Sequence, residues 1–246
     1  FGCGIGADSL AFTLAGLDVA AIESDPVAAL YAATNAPKAK VTCANGLATE
    51  LPDADAIWLD PARRAEDGRR IASPERWIPP FSRALSLARG FPLAGIKVAP
   101  GIAYHALPPR AFVEWISERG QLLEAVVWLG MGTGRAATID GEQLDSGAKT
   151  ADEPAVFVAP RPLGPLLFEP DPAIVRSGGI ARLCEKHGLA PVSEGIAYLT
   201  GEAVPPHCAA FEVLDVVVPE AKRIKRSLAA HGIGRTEVKK RGTEVD

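Results

Sequence analysis

Residues 1–9 read FGCGIGADS, three glycines at alternate positions followed by the start of a helical pattern. Gly2, Gly4 and Gly6 sit where a strand passes into a helix. Glycine there permits positive φ and lets a ligand approach the backbone closely. The helix that follows offers free N–H groups to an anion. The string GCGIGA also fits G-x-G-x-x-G/A, a pattern associated with dinucleotides. A tight turn without a ligand fits the same residues. The turn also implies that most of a first strand lies before Phe1, and RGTEVD at the other end stops without a turn signal. The sequence is therefore read as an internal fragment.

Outward from the turn, segments alternate. Residues 8–16 predict a helix with Asp8 or Ser9 as its cap and Gly16 as its stop. DVAAIE (18–23), VTCA (41–44), AIWLD (56–60), GIKVAP (95–100) and LEAVVWLG (123–130) predict strands. Helices are expected after SDP, over 78–90 and over 109–119. This βαβα order implies a doubly wound parallel sheet of α/β class, covered on both faces. Beyond 140, Gly, Pro, Asp and Glu thicken, with VFVA (156–159) a possible strand, and a boundary is placed near 160. The C-terminal part predicts a helix over 172–188, strands at 195–199 and FEVLDVVV (211–218), a basic helix over 219–231 and a last strand in TEVKKRG.

Composition narrows the class. The 246 residues are 48% hydrophobic and 23% charged, which supports a sizeable core and excludes a disordered chain. No apolar run approaches the ~20 residues of a membrane span. The net charge is −4, yet residues 219–246 hold eight Lys/Arg against four acids. That tail is +4 and the remainder −8. Cys3, Cys43, Cys184 and Cys208 form no CxxC pair and lack zinc-finger spacing with the four histidines. No metal is expected. Scattered thiols without a signal peptide point to a reducing cytoplasm.

Three strand ends carry candidate chemistry. Glu23 closes the strand after the turn, where a carboxylate would accept hydrogen bonds from both hydroxyls of a ribose, or simply be solvated. Asp25, before Pro26, reads as a helix cap. Asn45 closes the next strand. Its amide would bond an adenine edge, and Asn-Gly is equally a turn pair. Then comes WLDPARR (58–64), with Asp60 and Pro61 at a strand end followed by Arg63 and Arg64.

This ordered set resembles the class I S-adenosylmethionine-dependent methyltransferases. It looks most like a bacterial subgroup with GCGIG, then DPARR, then a C-terminal THUMP-like domain. The resemblance implies a Rossmann-like methyltransferase domain over 1–160 and a smaller α+β THUMP-like domain over 161–246. EPDPAIVRSGGIA, AYLTGEAV and IGRTEVKKRG carry the latter. It implies S-adenosylmethionine as cofactor. Gly2, Gly4 and Gly6 would face its amino-acid portion, Glu23 its ribose and Asn45, where Asp is frequent, its adenine. Asp60 would lie beside the sulfonium and the substrate, and Asp60, Pro61 and Arg63 are the candidate catalytic residues. An acid usual before the glycine turn would lie before Phe1.

Departures restrict the substrate. Amine-methylating members carry (D/N)PP(Y/F), whereas Ala62 and Arg63 stand here. Uracil-C5 members carry DPPR and a nucleophilic cysteine, and IKVAPGIAYH has none, which excludes covalent C5 chemistry. The THUMP-like resemblance implies RNA binding. Arg63 and Arg64 would clamp a phosphate, or pair with Glu66 or Asp67. Lys222, Arg223, Lys225 and Arg226 on one helix, with Lys239, Lys240 and Arg241, would add phosphate contacts. A solvated basic helix fits them too. Trp77 would stack on a base or cover the core. The leading reading is a cytoplasmic, RNA-acting methyltransferase. A nicotinamide-dependent oxidoreductase and a non-catalytic RNA-binding protein on the same scaffold are the alternatives.

Overall fold

A computed structural model describes residues 1–64 and 67–239. The chain forms two compact units. One comprises Phe1–Ile116, Leu123–Arg135 and Lys149–Glu153, and the other Ser117–Leu122, Ala136–Ala148 and the chain from Pro154.

The first unit opens with the glycine turn and helix α1 (Ala7–Leu14). Gly6, with φ of 88°, stands at the cap, and neither Asp8 nor Ser9 caps the helix as the sequence suggested. Strand β1 (Ala20–Glu23) leads through Asp25 into α2 (Pro26–Asn35). Asp25 caps α2, accepting from the backbone N–H of Val27 and of Ala28 at 2.8 Å, and Pro26 has no N–H to satisfy. Strand β2 (Lys40–Cys43) returns parallel to β1 in the register Ala20↔Lys40 to Glu23↔Cys43.

Strand β3 (Ala56–Leu59) is followed by α3 (Phe81–Ala88) and β4 (Leu93–Val98), which pairs parallel to β3. α3 buries Phe81, Ala84 and Ala88, one helical stripe. β4 is buried at Ala94, Gly95, Ile96 and Val98, as a strand covered on both faces must be. Phe1 and Gly2 link β1 to β3. The Phe1 N–H donates to Trp58 O and Asp60 N–H to Phe1 O, while Gly2 N–H donates to Ile22 O.

The expected helix over 109–119 is instead strand β5 (Phe112–Glu118), followed by β6 (Gln121–Leu129). Ala111, Val113, Trp115 and Ser117 are buried alternately, a period of two that no helix face provides. Arg119 and Gly120, both with positive φ, close the two-residue turn between these strands. β6 therefore runs antiparallel to β4, Ala94↔Leu129 to Val98↔Ala125, and the sheet is mixed rather than wholly parallel. Its order in this unit is β3-β4-β6-β5.

β7 (Gly134–Ile139), whose residues from Ala136 belong to the second unit, and β8 (Glu142–Asp145) form a hairpin about Asp140-Gly141, again both with positive φ. β9 (Leu166–Pro170), α4 (Pro172–Ser177), α5 (Ile180–His187), β10 (Ala190–Pro191), β11 (Leu199–Thr200), β12 (Cys208–Glu212) and α6 (Ala221–Ala230) follow. The sheet order is β10-β11-β9-β12. The single helix expected over 172–188 is broken at Gly178, whose φ of 80° ends α4. The strand expected over 211–218 ends at Glu212, where pairing with β9 reaches Leu166. Residues 156–159 form no strand, and neither do 236–239 of TEVKKRG, the rest of which lies outside the described residues.

Gly6 separates two demands on a glycine. A Cβ there would stand 2.8 Å from Ala32 Cα in α2, whereas nothing lies within 4 Å of one at Gly4. Both glycines hold positive φ. Gly4→Ala should therefore cost about 1–2 kcal/mol for the left-handed backbone alone. Gly6→Ala should cost a further ~1–3 kcal/mol for overpacking, read from denaturant unfolding of the two variants.

Candidate active site

The glycine turn is tied down from two sides. Glu23 Oε2 accepts from Gly4 N–H at 2.8 Å, and Oε1 accepts from Ser24 N–H at 2.8 Å and Asp25 N–H at 3.0 Å. Three backbone donors thus hold one carboxylate at the end of β1. On the other side, Asn35 of α2 donates its side-chain amide to Ile5 O at 2.8 Å. Gly2, Gly4 and Gly6 all have positive φ, at 68°, 52° and 88°. A Cβ on Gly2 would stand 3.1 Å from Asp60 O, so the turn and the end of β3 are in close approach.

Asp60 therefore lies beside the turn. Its carboxylate meets Lys97 of β4, with Oδ2 3.4 Å from Nζ. Lys97 Nζ also lies 3.4 Å from Asp8 Oδ2 on α1 and 3.2 Å from Glu124 Oε2 on β6. Trp58 Nε1 donates to the same Asp8 oxygen at 2.9 Å. Trp58 packs edge-on against Phe12 and tilted against Trp128, both at 5.5 Å. Gly95 makes room for this pair, since a Cβ there would stand 2.4 Å from the Trp58 ring. Burial alone would lower the Lys97 ammonium, yet Asp60, Glu124 and Asp8 together raise it above the ordinary lysine value.

Sequence reasoning singled out Asp60 but passed over Lys97. The signal was a lone cation inside the apolar strand GIKVAP.

The remaining candidates are placed unevenly. Pro61 is buried directly after Asp60, and Ala62 pairs with Ile78 in an isolated bridge. Arg63 is half-buried and its side chain has no partner among the described residues. Arg64 donates to Gly68 O at 3.2 Å. Asp67 pairs with Arg69 at 2.6 Å instead of with either of those arginines, and Glu66 lies outside the described residues. Asn45 is exposed and its Oδ1 accepts from Leu47 N–H at 3.0 Å, the turn alternative.

Trp77 is core. Its side chain is fully buried, its Nε1 donates to Ile71 O at 2.9 Å, and its ring meets Phe81 edge-on. It offers no face to a base. In the second unit, Lys222, Lys225 and Arg226 are exposed on α6, and Arg223 pairs with Glu220 at 3.1 Å. Lys239 is bound to Glu169 and stands over the Phe211 ring, so its charge is partly satisfied. Lys240 and Arg241 lie outside the described residues. Burial pushes the Cys184 thiol up to about 11 and the Cys208 thiol up to about 12, so neither supplies a thiolate at neutral pH. No metal-binding cluster of His, Cys, Asp or Glu occurs among the described residues, and no helix there is long and apolar enough to cross a membrane.

In α/β folds the carboxyl ends of strands beside a glycine turn are where ligands bind, and here Glu23 and Asp60 both adjoin such a turn. No family model matches the chain. It is 31% identical over 260 residues to an uncharacterized S-adenosylmethionine-dependent methyltransferase of Mycobacterium tuberculosis, found in two strains. The alignment covers 99% of this chain and 69% of that protein. The fold is shared with a crystal structure of a candidate methyltransferase from Porphyromonas gingivalis, at a TM-score of 0.62 and 16% identity. That match covers 85% of this chain and 58% of the other. The chain belongs to the S-adenosylmethionine-dependent methyltransferases. Family membership sets the nicotinamide reading aside.

The Lys97 pairing has a pH signature. A lysine whose folded value is raised contributes stability in full below the unfolded value and loses it as pH rises through the folded one. The stability gap between wild type and Lys97→Met should be fully open at neutral pH. It should close as pH climbs past the ordinary lysine range, as followed by urea unfolding at stepped alkaline pH.

Proposed function

We propose that the chain transfers a methyl group from S-adenosylmethionine to RNA. The first unit's glycine turn would bind the cofactor and Asp60 would stand at the transfer point. The observation that carries the reading is the convergence of Glu23 and Asp60 on the glycine turn. The residues suit such a cofactor. Space is open over Gly4, where a ligand can reach the backbone, and Glu23 Oε2 has one partner and keeps acceptor capacity for a ribose hydroxyl.

The bound sulfonium supplies an activated methyl group, so the protein's task is alignment. Gly2, Gly4 and Gly6 would hold the amino-acid portion, Glu23 the ribose and Asn45 the adenine edge. Asp60 would orient the acceptor atom and take its proton. Pro61, buried, would keep Asp60 at its station. Arg63 would contact the phosphate next to the target nucleotide, with Arg64 beside it. The chain from 161 to 246 is read as a THUMP-like RNA-binding domain. Its supporting feature is the exposed cationic row Lys222, Arg223, Lys225 and Arg226, with Lys239, Lys240 and Arg241 beyond. A cytoplasmic location accords with an RNA substrate.

The test couples binding to transfer. Calorimetric titration with S-adenosylmethionine should show micromolar binding, weakened at least ~10-fold by Glu23→Ala, which removes the charged hydrogen bond to the ribose and the carboxylate that holds the glycine turn. Labelled methyl groups should then enter total cellular RNA. Replacing Lys222, Lys225 and Arg226 by Gln should weaken RNA affinity and flatten its salt dependence by about two to three phosphate contacts, with cofactor affinity unchanged. Label entering protein or small molecules while RNA stays unlabelled would refute the RNA assignment.

A further inference from the structure

Lys97 is an unusual choice for its place. Its β4 neighbours Ile96 and Val98 are wholly buried and its own side chain is only 15% exposed. An ammonium so placed is costly unless it is paired. It is paired three times, with Asp8 from the first turn of α1, Asp60 from the end of β3 and Glu124 from β6. One cation serves three carboxylates, so the ionised cluster carries a net −2. All four side chains are at least partly withdrawn from water. Such a surplus of like charge is stabilised by a further cation. The cluster adjoins the glycine turn on two sides, because Asp8 lies two residues beyond Gly6 and Asp60 O closes on Gly2.

We infer that Lys97 sets the charge of the cofactor site: it gathers three carboxylates into a cluster whose negative surplus favours a sulfonium over a neutral thioether, while its own ammonium tempers that preference. The inference rests on the reading that Asp60 faces the sulfonium. In the transfer, the acceptor atom bonds to the methyl carbon and the carbon–sulfur bond breaks with its electron pair left on sulfur. The acceptor's proton passes to Asp60 or to water. The sulfur thereby falls from +1 to neutral, and the cluster loses the charge it favoured. Lys97 sets the balance. Without it the cluster would be −3, and with a carboxylate neutralised it would be −1. The device holds the charged donor and releases the uncharged product, S-adenosylhomocysteine.

The experiment titrates S-adenosylmethionine and S-adenosylhomocysteine into the full chain by calorimetry, at constant salt and neutral pH. Variants are Lys97→Met, Asp60→Asn, Glu124→Gln and Glu23→Ala. The quantity read is the ratio of the two affinities. Each unit of charge removed or added a few ångströms away should move it about 3- to 10-fold. Asp60→Asn and Glu124→Gln should shift the ratio toward the thioether, and Lys97→Met toward the sulfonium. Opposite signs from opposite charge changes are what a merely structural role would not give. The near-isosteric Glu124→Gln keeps the test decisive if Lys97→Met does not fold. Ratios within twofold of wild type in all the folded cluster variants, with Glu23→Ala still weakening both ligands, would overturn the inference and leave the site standing. Failure of the wild type to bind either ligand would overturn both.

Discussion

One carboxylate, bonded to backbone donors, holds the N-terminal architecture together. Glu23 collects N–H groups from Gly4, Ser24 and Asp25, and so joins the glycine turn to the end of β1. Hydrogen bonds to an ionised acceptor are roughly twice as strong as neutral ones, which suits a turn whose three glycines would otherwise sample many conformations. The same turn carries Phe1 and Gly2, which hydrogen-bond to β3 and β1 respectively. Tight closure at Gly6 against Ala32 then sets α1 on α2. A local backbone constraint thus fixes where Asp8, Glu23 and Asp60 stand.

The second organising feature is electrostatic. β4 is apolar enough to be covered on both faces, yet it places an ammonium near its C-terminal end. Desolvation argues against that charge and three carboxylates argue for it, and the raised lysine value shows which effect prevails. The carboxylates come from α1, β3 and β6, so Lys97 also connects elements distant in sequence. Packing supports it, since Trp58 bonds Asp8 while Phe12 and Trp128 flank its ring.

Much of this was legible in the sequence. The strands β1 to β4, the Asp25 cap and the glycine turn all follow from local signals: apolar runs, a capping residue before proline, and glycines at a strand end. Glu23 and Asp60 followed from their positions at strand ends. The β5–β6 hairpin was missed because FVEWISE carries enough charge to pass for an amphipathic helix. The decisive clue was the alternation of Val113 and Trp115 before Arg119-Gly120. Lys97 was missed because its role depends on three partners up to 89 residues away, which no local pattern reveals. Trp77 had two readings in sequence, and a tertiary contact with the Ile71 carbonyl decided it as core; the Lys239–Glu169 pair had no local signal.

The central claim is that the glycine turn and the ends of β1, β3 and β4 form one cofactor site. Amide hydrogen exchange with and without S-adenosylmethionine tests it most directly. The account predicts slowed exchange over residues 2–8, 23–25 and 58–62 and around 97, with α6 unchanged. Protection confined to the second unit, or exchange unaltered under saturating ligand, would contradict it.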